Sequence, residues 1–138
     1  VAGSSALQSH NWVGQHIPIH ASSNGKVLVS ELDGTELTRM LGELVAYTPS
    51  TVTDRTRLDS ELALVREQGF AIATDELDLG LTAVAAPVRD AHGAVVASVS
   101  VSGPSFRFDE ARIAEIVPLV RTATHEISSR LAHVPPER

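Results

Sequence analysis

Hydrophobic residues change their period several times along the chain, and each change marks an element. Early on, "ALQSHNWVG" (6–14) reads as a short strand and "HIPIH" (16–20) as an extended stretch ending near His20. From there the pattern turns helical. Val27, Leu28 and Leu32 supply the apolar positions, and Ser22 or Ser23 supplies a cap. "DGTELTRMLG" predicts a second short helix with Thr35 as N-cap, Leu37, Met40 and Leu41 as its stripe, and Gly42 as its stop. In a longer third helix Thr53 precedes Asp54, whose carboxylate in the first turn suits the helix dipole. Leu58, Leu62 and Val65 line its apolar face and Gly69 closes it.

The period then drops to two. "FAIAT" alternates as a strand, and "LTAVAAPV" and "AVVASVSVSG" are two more, joined through "RDAHG" by a tight hairpin in which Gly93 takes positive φ. The chain closes on a long helical pattern with Asp109 as cap and Ile113, Ile116, Val117, Val120, Ile127 and Leu131 on one face. Pro118 inside it predicts a kink or a break into two helices. "AHVPPER" is a frayed tail or the stub of a linker. This order predicts an α+β fold with helices packed on a mostly antiparallel sheet. In the last strand Ser98, Ser100 and Ser102 alternate with Val99 and Val101, so one side carries hydroxyls and the other valines. Ala85, Ala86, Ala94 and Ala97 leave room on the sheet for a close helix or a cavity.

Composition bounds the function. The 138 residues make one domain. Aromatics are only 4%, so the core is aliphatic. A net charge of −6 argues against this segment gripping nucleic acid or an anionic membrane surface. No cysteine is present, which removes disulfides and thiolate chemistry. No apolar run nears the roughly 20 residues of a membrane span, and no signal peptide is visible, so a cytoplasmic protein is expected. The chain starts at Val1 and its one methionine is Met40, so we expect a piece of something longer.

Candidate chemistry is sparse. His10, His16 and His20 fall close together, but in an extended stretch His16 and His20 lie roughly 13 Å apart, too far for one metal. His92, His125 and His133 are scattered. "TDELDLG", with Asp75, Glu76 and Asp78, lacks calcium-loop spacing and reads as a solvated connection. No serine-nucleophile elbow and no phosphate-cradling glycine loop occurs. Neither an enzyme, a metal nor a cofactor is indicated. What remains is Ser22, Ser23 and Asn24 at a helix start, where free N–H groups favour an anion, beside strand hydroxyls in an apolar lining. That combination describes a pocket for a small carboxylic acid.

"HIPIHASSNGKVLVSEL", "REQGFA", "GLTAVAAPVRD…G" and "SVSVSGP", in this order and at these spacings, closely resemble the effector-binding domain of IclR-family bacterial transcription regulators. The resemblance covers almost the whole chain. It implies one effector-binding domain over 1–138 with a GAF-like α+β fold, a curved antiparallel sheet flanked by helices. It also implies that the domain's first helix and strands are partly missing, with a sheet edge left unpaired, and that DNA is bound only through an N-terminal winged helix-turn-helix domain absent from this chain. A homodimer or homotetramer is expected. Carried over, the effector site comprises Ile17, Ser23, Asn24, Ala73, Leu81, Ala83, Ser100, Val101 and Ser102. Asn24 stands where a small residue is common, adding a donor and narrowing the site. Ala73 replaces a frequent acid, which makes the site less hostile to anions and points to a small or aromatic carboxylate. The serine side of the last strand then faces the effector and the valine side the packed helices. The alternatives are a free-standing GAF-like sensor and an oligomerisation module whose pocket is vestigial.

Overall fold

The computed structural model describes residues 16–132. The elements run α1 (Ser23–Val29), α2 (Gly34–Leu41), α3 (Arg55–Gln68), β1 (Ala71–Thr74), β2 (Leu81–Arg89), β3 (Val95–Pro104), a 3-10 turn at Ser105–Arg107, and α4 (Glu110–Ala132). The expected strand at 6–14, and the site of His10 and His133, lie outside the described residues. The stretch expected to be extended, "HIPIH", has no regular structure at 16–18 and turns at Ile19–Ala21, directly before α1.

Each helix starts where a side chain can take up orphan backbone donors. Ser22 Oγ accepts from Gly25 N in α1. In α2 the cap is Asp33, not Thr35, and its carboxylate accepts from Glu36 N at 2.8 Å. In α3 Asp54 is itself the cap, accepting from Thr56 N, rather than a first-turn residue. Asp109 accepts from Arg112 N at 2.8 Å and caps α4. Gly69 closes α3 in the left-handed region at φ 83. Despite Pro118, α4 is one helix of 23 residues. A single proline removes one donor, and the turns on either side hold the rest of the ladder.

The three strands form an antiparallel sheet in the order β1-β2-β3. Asp90 takes the hairpin between β2 and β3: its carboxylate accepts from His92 N and Ala94 N, and Gly93 sits at φ 82. Register fixes the faces. Ala71, Ala85 and Ser100 form one row across the sheet; Ala73, Ala83 and Ser102 form the next on the same side. α1 and α3 pack on that side through Val27 and Val65, which cluster with Ala71 and Ala85. The small alanines let α1 come close. A second cluster, Val29, Leu37, Val52, Leu58 and Leu62, joins the three short helices to one another. On the opposite side Val84, Ala86 and Val88 are buried, and Phe108, just before α4, lies against Gly103. α4 therefore covers the other face, mainly over β2. The architecture is α+β with helices on both faces of an antiparallel sheet, as the pattern predicts. Among the described residues β3 pairs along one edge only.

Candidate functional site

The hydroxyl row of β3 and the start of α1 meet. Ser98, Ser100 and Ser102 alternate onto the α1 side of the sheet, and Asn24, in the first turn of α1, reaches the first two. Asn24 Nδ2 donates to Ser100 Oγ at 2.9 Å, and Ser98 Oγ donates to Asn24 Oδ1 at 2.7 Å. All three side chains are half-buried, while Ser102 is exposed further along the strand. Ala83 pairs with Ser102 in register and Ala73 with Ala83, and neither carries a group that could repel an anion. Leu81 lies on the same side of β2, half-buried, and Ile17 is 40% exposed just before the turn into α1.

Two of the named residues differ from expectation. Ser23 is buried, 2% exposed, and its neighbour Ser22 is the cap. Val101 lies on the opposite face from the serines, because the pleat period is two, so its side chain cannot share a hollow with them. It is also 42% exposed rather than packed under helices, because α4 lies mainly over β2. At the start of α1 one of the first-turn amides is already paired. The helix has seven residues, and Gly25 N is already spent on Ser22 Oγ, which in turn donates to Pro18 O at 2.8 Å. What α1 contributes to the serine face is the Asn24 side chain.

Sequence reasoning missed the buried charges behind this face. Lys26, two residues after Asn24, is 1% exposed, and its Nζ donates to Glu61 of α3 at 2.8 Å and Glu76 at 2.6 Å. Glu76 belongs to "TDELDLG", so that segment is no simple solvated connection. Thr48 and Thr51 hydroxyls donate to the carbonyls of Asp75 and Glu76, and the Asp75 carboxylate accepts from Ser105 Oγ and Gly80 N. Burial pushes the Glu76 carboxyl above its ordinary range, against the charge and hydrogen bond of Lys26, which pull it down. The signal available in the sequence was a lysine inside an apolar helix pattern; its partners are 35 and 50 residues away.

His20 is buried, and its Nε2 pairs with Val45 O at 2.8 Å, a packing role. His16 is exposed. Among the described residues no three histidine, aspartate or glutamate side chains are grouped to hold a metal ion, and no helix is long and apolar enough to cross a membrane. An open cleft of about 200 Å3 is lined by Leu32, Gly34, Leu37, Arg55, Asp59, Leu62 and Arg66, and shares no residue with the Asn24–serine face. Its arginines are engaged: Arg55 with Asp59, Thr38 and Gly34 O, and Arg66 with Ser30 O.

Comparison with known proteins agrees with this architecture. The family profile described as "Bacterial transcriptional regulator IclR C-terminal" matches residues 1–129. The transcriptional regulator KdgR of Escherichia coli K12 is 35% identical over 130 residues, 92% of this chain and 49% of that protein. XynR of the same organism is 33% identical over 135 residues, 96% of this chain and 54% of that protein. The chain thus spans about half the length of these relatives, which are transcriptional regulators. Among solved structures, the C-terminal domain of E. coli KdgR superposes with a TM-score of 0.81 at 33% identity, covering 93% of this chain and 79% of that one. The inducer-binding domain of PobR from Acinetobacter, a double mutant in complex with 3-hydroxybenzoic acid, gives 0.78 at 32% identity over 83% of this chain and 67% of that one. With the sheet, its covering helices and nearly the whole sequence accounted for, the chain belongs to the IclR family of bacterial transcriptional regulators, as its GAF-like C-terminal effector-binding domain.

Proposed function

We propose that this domain senses a small or aromatic carboxylic acid and thereby alters DNA binding by a winged helix-turn-helix domain outside this chain. The observation that carries the reading is the convergence of Asn24 with Ser98 and Ser100, beside Ser102 and the alanines of its row. Uncharged donors suit a carboxylate or carbonyl oxygen, since the Ser100 and Ser102 hydroxyls can each donate one proton to it without needing a counter-ion. Ile17, Ser23, Ala73, Leu81 and Ala83 complete this side; Val101 could contribute only through its backbone. The 3-hydroxybenzoic acid bound by the PobR domain supports an acid as the ligand class. A regulator acting on chromosomal DNA would work in the cytoplasm.

The domain acts by binding alone, and its effect on DNA affinity can be no larger than the effector's preference for one conformational state over another. Self-association as a dimer or tetramer is supported by apolar side chains left open on β3 and α4: Val96, Leu119, Ile127 and Leu131. Calorimetric titration with a panel of small organic acids tests the reading, together with the Ser100→Val/Ser102→Val variant. A sensor loses the response in that variant while staying folded. A folded wild-type protein silent across the panel, or a variant that changes only its mass, would leave an oligomerisation module instead.

A further inference from the structure

Polar groups in a half-buried site are committed by the bonds they already make. Here the commitments run in one direction, from Ser98 through Asn24 to Ser100. Ser100 Oγ accepts from the carboxamide, so its own proton is left to give. Among the described residues neither that proton nor the Ser102 hydroxyl meets an acceptor. The strand side chains on the same side, Ala73, Leu81 and Ala83, are uncharged and offer no competing acceptor.

We infer that Asn24 is the specificity-determining residue of this face: its carboxamide fills the gap between α1 and β3 and turns the Ser100 hydroxyl outward. The site therefore takes a short-chain acid whose oxygens accept from Ser100 and Ser102, and excludes a ring-bearing one. This rests on the reading that the face binds an acid. Because Asn24 is bonded directly to Ser98 and Ser100, no ligand atom fits between helix and strand at their level. The open stretch is at Ser102, beside Ala83. A ring pushed deeper would break both Asn24 bonds and strand an amide and two hydroxyls without partners, a penalty that a hydrophobic contact does not offset.

The test is calorimetric titration of the whole chain, wild type against Asn24→Ala and Asn24→Asp, with pyruvate and lactate as short acids and 3-hydroxybenzoate as the ring-bearing one. Removing the wedge in Asn24→Ala should shift preference toward 3-hydroxybenzoate by about tenfold or more. Asn24→Asp keeps the shape and accepts from both serines, so it uses the Ser100 proton and sets a negative charge before the ligand. Binding of short acids should fall about tenfold or more with the melting temperature unchanged. Should Asn24→Ala not fold, Asn24→Ser takes its place with the same expectation. If wild type binds acids but the preference is unchanged in a folded variant that lacks the wedge, the role of Asn24 is overturned and acid sensing stands. If no acid binds wild type or any variant while all are folded, the sensing reading falls and takes this inference with it.

Discussion

Replacing Lys26 with methionine should cost this domain much of its stability at neutral pH and less of it in mild acid. Methionine fills nearly the same volume, so the change removes a charge from a site that is 1% exposed. The Glu76 side chain, 9% exposed, then loses the cation 2.6 Å away, while Glu61, 32% exposed, can turn to solvent. Breaking a buried pair from one side costs about 3–5 kcal/mol, a large part of the roughly 5–15 kcal/mol that holds a domain folded. Unfolding entropy of about 2.1 cal/mol/K per residue over 138 residues gives about 0.29 kcal/mol/K, so the melting temperature should drop by about 10–17 °C. The pH dependence follows from Glu76. Its carboxyl is already held above the ordinary value of 4.5 by burial, and without Lys26 it rises further. Between 4.5 and that raised value the folded state binds more protons than the unfolded one, so stability increases as pH falls through the window. Thermal and urea unfolding at about pH 7 and about pH 5, on wild type, Lys26→Met and Lys26→Met/Glu76→Gln, reads all of this. The double variant should recover at least about 1 kcal/mol of the loss, because no buried carboxylate is left unpaired. A Lys26→Met loss under about 1 kcal/mol, or one equal at both pH values and unrelieved by Glu76→Gln, would refute the reasoning.

Two further outcomes are expected. A Cβ on Gly25 would stand 2.4 Å from Ile19 O and 2.5 Å from Ile19 Cα, both backbone atoms. Gly25→Ala should therefore lose stability toward the upper end of the about 1–3 kcal/mol typical of overpacking, measured by urea unfolding. The Arg89 guanidinium hydrogen-bonded to Glu31 holds that carboxyl below its ordinary value, so the pair's contribution is present above 4.5 and lost as pH falls through the folded value. The side chains are 38% and 40% exposed, so Glu31→Gln should change stability at neutral pH by no more than about 1 kcal/mol and flatten the acid limb of the stability curve.

How much of this was legible depended on the range of the interaction. The serine row was readable because pleat period is local: once "SVSVSG" is a strand, its hydroxyls share a side. The hairpin glycine Gly93 and the C-cap Gly69 were readable for the same reason. Caps were readable only to within a residue or two. Asp33 and Thr35 both have capping oxygens, and the choice falls to whichever reaches a free N–H, here Asp33 to Glu36 N. Lys26 with Glu61 and Glu76 was not readable, because nothing local distinguishes a buried carboxylate from the solvated ones beside it. Which first-turn amides of α1 could face an anion was not readable: the structure shows that Ser22 takes the amide of Gly25. Asn24 could be picked out from the chain, but that its carboxamide would bond both Ser98 and Ser100 depends on how closely α1 approaches β3.

That approach puts three consecutive residues of α1 to three different uses. Asn24 faces the serines of β3, Gly25 admits the backbone of Ile19, and Lys26 ties the helix to α3 and to the segment before β2. At about 100° per residue a helix presents successive side chains to different neighbours, so none of these contacts can be changed by rotating α1 without disturbing the other two. A ligand bound beside Asn24 pulls against this anchorage. Coupling energies between sites are about 1–3 kcal/mol, below the roughly 3–5 kcal/mol needed to break the Lys26 pairs. The helix is thus the fixed wall of the site. The element free to respond is β3, held along one edge by β2 among the described residues and only partly covered by α4, with Val101 open to solvent on its far side. On the proposed sensing reading, β3 is therefore the element through which a change beginning at Ser100 and Ser102 would pass.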